Sequence, residues 1–189
     1  MLKLDDQLKA AITKMPVVEK DKILLRLVAK DQKLVRRLVF ELIEGGATRD
    51  ERAADLKKQI ATDLLNAKHY NLTPGLLLLY LRNWNARITE HVQATKDKSG
   101  EVSLTIFMMV EAFRIHRGML DSFPDRRSDT FAPYLVKRTK AIISKAEKLH
   151  EDYFIEFRRD LQELLQNIWS FRATAQFAKE EHLPQHWDF

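Results

Sequence analysis

Glu147 and His150 stand three residues apart in the stretch AEKLHEDYF, inside a run that has no glycine or proline. On a helix this spacing puts a carboxylate and an imidazole on one face. It is the half-motif that each of two bundle helices contributes to a carboxylate di-iron site. A complete site needs a second Glu-x-x-His and two more glutamates. Of the histidines, His69, His91, His116, His150, His182 and His186, only His150 follows a glutamate at that distance. The expectation is a helix-flank histidine with Glu147 and Glu151 in solvent, and neither a metal nor another cofactor is expected. His182 and His186, near Glu181, have helical ligand spacing, but Pro184 between them breaks the helix that the spacing needs.

Other chemistries find less. The chain has no cysteine, which excludes disulfides, thiolate metal sites and a cysteine nucleophile. It has no G-x-x-x-x-G-K-[ST], no G-x-G-x-x-G and no G-x-S-x-G. Glu41-x-x-Glu44 has the spacing of a magnesium-holding pair, but no Glu-x-x-Asp exists to complete it. No catalytic constellation is nominated.

Charge offers a binding surface instead. Formal net charge is +5 and the sequence pI about 9.4, which permits a polyanionic partner without requiring one. Lys137, Arg138, Lys140, Lys145 and Lys148 form a cluster, with Arg126 and Arg127 in the loop before it, and no acidic residue lies between Thr130 and Ala146. Lys137, Lys140 and Lys148 share a helical face, the kind of ridge that contacts phosphates. The plainer reading is a solvated helix face. A second stripe, from Lys22 to Arg37, is continuous only if its helix is. In the tail KEEHLPQHWDF, Trp187 and Phe189 are large apolar rings that dock on the protein's own bundle or on a partner. Trp84 and Trp169 lie on apolar stripes and read as core.

The elements that would position these residues are helices. With 189 residues, 45% of them hydrophobic and 31% charged, the chain is long enough for a substantial core and has the mix of a soluble domain. No period-2 alternation or hairpin dipeptide marks a strand. Leu4, Leu8, Ala11, Ile12 and Met15 give a first short helix, ended by Pro16. Between residues 18 and 44, one continuous helix would place Asp31 on its apolar face, a costly burial. Asp31 is therefore expected to cap a second short helix, making a HEAT-like hairpin. Thr48 with Glu51 reads as a capping box, and Thr73-Pro74 as a helix start. Val102–Val110, after a Ser99-Gly100 turn, is apolar all round and belongs in the interior. GMLDSFPDRRSD reads as a polar loop. Residues 133–184 read as one long helical run with apolar positions three, four or seven apart, either continuous over roughly 60 Å or bent over the bundle near YFIEF.

The expected fold is all-α: a small N-terminal helical hairpin over residues 1–47 and an antiparallel bundle over 48–189, with one long C-terminal helix. No apolar run is long enough to span a bilayer and no leader is seen, so the expectation is a cytoplasmic protein without a membrane partner. The favoured function is a non-enzymatic protein-interaction domain. The second reading is a nucleic-acid-binding protein using the Lys137–Lys148 ridge, and the third a metal-dependent bundle enzyme. Asp31 supplies the first test. Replacing it with alanine should cost about 1 kcal/mol, the usual loss for an N-cap, read as a lower urea midpoint with an unchanged slope.

Overall fold

The helix that the sequence marks as interior lies at the centre. In a computed structural model, which describes residues 4–124 and 128–188, Val102, Leu104, Ile106, Met108, Met109 and Phe113 are all buried. They belong to α6 (Lys98–Ser122), which packs against α4 (Arg49–Asn66), α5 (Pro74–Thr95), α7 (Phe131–Ala146) and α8 (Asp152–Ser170). A helix with apolar residues on every side is stable only when other helices cover all of those sides. A last bundle helix, α9 (Arg172–Glu180), lies against α7 and α8. Among the described residues there is no strand, and the chain is a packed all-α bundle.

Three short helices precede the bundle: α1 (Asp6–Lys14), α2 (Val17–Val28) and α3 (Gln32–Leu38). The break at Asp31 is present. Its carboxylate accepts from the Lys33 amide at 2.9 Å and the Leu34 amide at 3.2 Å, so the Lys22–Arg37 stripe is divided. The helices on either side of Asp31 behave differently. α3 packs on α5, whereas no residue of α1 or α2 is buried. The chain then passes through a π-helical turn, Val39–Ile43, and reverses at Gly45 and Gly46. Both glycines have positive φ, the left-handed region that ends a helix cheaply only with glycine.

Several local expectations need correction. Thr48 does not form the capping box with Glu51. Its hydroxyl donates to the Glu44 carboxylate, which also takes Arg52 Nε at 2.8 Å and Arg52 Nη2. The Thr48 backbone, at φ −85° and ψ 9°, is not in the extended conformation in which an N-cap side chain meets the amides of the first turn. Thr73 does cap α5, accepting from the Leu76 amide at 3.2 Å. Gly100 is not a turn residue but lies in the first turn of α6, and the expected polar loop begins late, because α6 continues through Gly118 to Ser122.

The long C-terminal helix is the largest correction. Residues 133–184 divide into α7, α8 and α9. At residues 147–151 the amides of Lys148 and Leu149 bond three residues back, to Lys145 and Ala146, and the helix tightens and turns. At Phe171 the backbone is extended, and its ring is buried edge-on against Phe113, with centroids 6.1 Å apart. Thr174 secures the corner by donating its hydroxyl to the carbonyls of Ile168 at 2.5 Å and Phe171 at 3.0 Å. Helical periodicity continues through both corners because a bent rod keeps its apolar face on the core.

The end of α4 has a different device. The Leu64 carbonyl, near the helix terminus, accepts from buried His116 Nε2 on α6 at 2.9 Å. A carbonyl only accepts, so Nε2 carries the proton, and burial lowers the pKa of the ring and favours its neutral form. Phe171 carries the fold's own test. Phe171→Ala should cost about 3 kcal/mol, in the range for a buried ring removed from a core, seen as loss of urea resistance with the helices still formed.

Candidate functional site

The basic ridge is more neutral in space than in sequence. Lys140 Nζ donates to the Glu181 carbonyl at 2.7 Å and to its carboxylate at 3.2 Å, and Lys137 lies 3.9 Å from the same carboxylate. Lys145 pairs with Glu101 from the first turn of α6. Arg138 is half-buried beside Tyr134, and Lys148 is exposed in the turn after α7. The stretch has no local acid, but the fold brings two from distant segments. Arg126 and Arg127 lie outside the described residues.

The other candidate residues are dispersed. His150 is exposed, its side chain 69% accessible, and its Nδ1 lies 3.1 Å from the Asp152 carboxylate. Glu147 is exposed at the end of α7. His186 Nδ1 meets Gln162 Nε2 at 3.0 Å. Among the described residues no group of three or more histidines, aspartates or glutamates is placed to hold a metal ion. Trp187 is buried, edge-on to Phe154 at 5.3 Å, and its amide donates to Gln162. The tail is thus docked on α8, where Trp169 Nε1 also donates to the Pro184 carbonyl at 3.1 Å. Phe189 lies outside the described residues. Trp84 is core, its Nε1 bonded to Asp63 at 2.7 Å, and Trp169 is half-buried.

The surface that stands out is the N-terminal arm, residues 4–28. Leu4, Leu8, Ile12, Val17, Val18, Ile23, Leu24, Leu25 and Leu27 are all exposed, by between 38% and 68%. On α2 the apolar residues cover more than half of the circumference at 100° per residue, a pattern that belongs inside a protein. Glu19, Lys22 and Arg26 hold the remaining arc, and Lys20 and Asp21 interrupt the apolar one. The two helices meet at Pro16, which cannot continue α1 and whose carbonyl accepts from the Glu19 and Lys20 amides to start α2. Lys20 Nζ reaches back to the Thr13 carbonyl at 3.1 Å and ties the corner. At this corner lies a groove of about 550 Å³, lined by Ile12 and Met15 and, from α2, by Val17, Ile23, Leu24 and Leu27 with Lys20 and Asp21. The apolar spacing of both helices was legible in the sequence. Their exposure was not, because spacing does not say which surface an apolar face meets.

A second feature escaped the sequence reading altogether. His91 on α5 and Asp97, the N-cap of α6, are both buried and face each other at 3.7 Å. Asp97 accepts from the Gly100 amide at 2.8 Å and the Ser99 hydroxyl at 2.9 Å. A Cβ on residue 100 would lie 2.0 Å from Asp97 Oδ2, so any larger residue there would push the Asp97 carboxylate out of this position. The Asp-x-x-Gly at a helix start was the available signal. A mixed-charge cleft of about 410 Å³ adjoins Asp97, with Arg49, Lys57, Tyr153 and Glu156 among its walls.

Comparison with protein-family models, with curated proteins and with solved structures yields no match to this chain. No helix among the described residues is long and apolar enough to cross a membrane.

The Asp97 cluster makes stability depend on acid. The His91 imidazole, the Gly100 amide and the Ser99 hydroxyl, with the Arg49 charge, hold the Asp97 carboxyl down at about 2 against the burial that would raise it. The unfolded chain, with its carboxyl near 3.8, takes the proton first. Stability from this group is complete above about pH 5 and is lost as pH falls toward 2, by about 2 kcal/mol in all. Urea midpoints at several pH values should show that acid loss, and Asp97→Asn should flatten it.

Proposed function

We propose that this chain is a non-enzymatic, cytoplasmic helical interaction domain that docks a protein partner on its N-terminal arm. One observation carries the reading: nine large hydrophobic side chains are exposed on an arm of which no helical residue is buried. Contiguous apolar surface of this kind on a folded protein marks an interaction site. In this reading the helices flanking Asp31 act as a HEAT-like pair whose outer member completes its packing on the partner. The basic ridge supports the nucleic-acid alternative less well, since Glu181 and Glu101 already lie against three of its cations and offset two of their charges. The Trp187 ring, buried on α8, takes no part in the proposed surface.

The test compares the full chain with a Leu24→Asp, Leu27→Asp variant, each immobilised and offered both cell lysate and an untagged copy of the chain. Neither leucine is buried, so the variant should keep its helicity and cooperative melting. Desolvated apolar anchors in an interface are worth more than about 1 kcal/mol each, so the pair should lower retention of the bound protein at least roughly tenfold. Equal retention by both forms would refute the arm as the docking surface.

A further inference from the structure

We propose that the arm's partner is a second copy of this chain, and that two arms pair about a two-fold axis to form a four-helix cluster. The proposal rests on the docking reading above and names its occupant.

Three observations select a second copy. The first is area. At about 100 Å² for each half-exposed side chain of this size, the nine hydrophobics offer roughly 900 Å², close to the 800 Å² or so that each partner gives to a standard stable interface. The second is charge. Residues 4–31 carry five acids and six bases, and both signs occur on both helices, as in Asp6 and Lys9 on α1 and Glu19 and Lys22 on α2. A surface built for an acidic or a basic partner would carry an excess of the opposite sign. A near-neutral surface with both signs interleaved can be complementary to itself, as a two-fold contact requires. The same balance opposes an anionic lipid surface, which draws an amphipathic helix with a lysine-rich polar face.

The third is shape. The two helices joined at Pro16 pack little on one another and leave an open apolar groove, which a second arm can fill to make a four-helix cluster. A second hairpin laid into the groove would cover Ile12, Leu24 and Leu27 on both copies at once. Lys20 and Asp21 at its margin would meet their counterparts across the axis, where opposite charges can alternate.

Sedimentation equilibrium of the purified full chain over a hundredfold range of concentration tests this. The expected result is a monomer–dimer equilibrium. Leu24→Asp, Leu27→Asp should weaken it roughly a hundredfold, as should Leu8→Asp with Ile12→Asp on the other helix. Ile155→Asp, at a still more exposed apolar position on α8, should leave the dimer intact. A chain that is monomeric throughout, yet retains a different protein through Leu24 and Leu27, would overturn the second copy and leave the docking reading standing. A monomer with no arm-dependent retention would overturn both. A dimer that survives both arm variants, or is lost in Ile155→Asp, would place the self-contact elsewhere and overturn the proposal.

Discussion

The burial of α6 governs the rest of the bundle. From Val102 to Phe113 its apolar side chains point in every direction, so no single neighbour can remove them from water. Four helices surround it, and the connections between them follow from that demand. The turn into α9, which packs on α7 and α8, is made at a buried aromatic ring: Phe171 lies against Phe113 of α6, and the corner costs little because the ring gains burial. The corner between α8 and α9 is thus a consequence of packing, not of a helix-breaking residue.

Each helix end inside such a bundle leaves backbone groups without partners in their own helix. The structure answers these with side chains from elsewhere. His116 takes the Leu64 carbonyl, Asp97 takes the Gly100 amide, and Thr174 covers the Ile168 and Phe171 carbonyls. These contacts account for the burial of His116, Asp97 and Thr174. His91 and Asp97 belong to the same group. Their burial joins the end of α5 to the start of α6, and a glycine at position 100 is the steric condition for it.

What could be read from the sequence divides along the same line. The all-α class, the interior position of Val102–Val110, the break at Asp31 and the cap at Thr73 are local matters of composition, periodicity and capping chemistry, and all were legible. The C-terminal corners were not, since apolar spacing continues across them, and neither was the loss of the Thr48 capping box, which depends on the backbone that Thr48 adopts after the reversal at Gly45-Gly46. The basic ridge teaches the same point for charge. A window free of acids is a statement about chain order, and Glu181, more than thirty residues away from Lys145, is a neighbour of Lys140 in space. The apolar arm was legible as helices and illegible as a surface.

That last gap has a physical basis. A helix gains the same free energy per unit of apolar area whether the covering surface comes from its own chain or from another, so its pattern carries no record of which one it meets. What separates the two cases is reach. α3 lies directly before the reversal that leads into α4 and packs on α5, with Arg36 3.4 Å from Glu90. Beyond it, the Asp31 cap fixes a break that directs α2 away from α5, and Pro16 sets a second one. Asp31 fits such a position because a cap holds its angle by hydrogen bonds and needs no tertiary contact. The two breaks hold the arm off its own core. Apolar residues on α1 and α2 are then stabilising only through a contact that this chain does not make with itself, and without such a contact they would burden solubility. Their density on α2, over more than half of its circumference, is that of a buried helix, and in the docking proposal a second molecule supplies the cover.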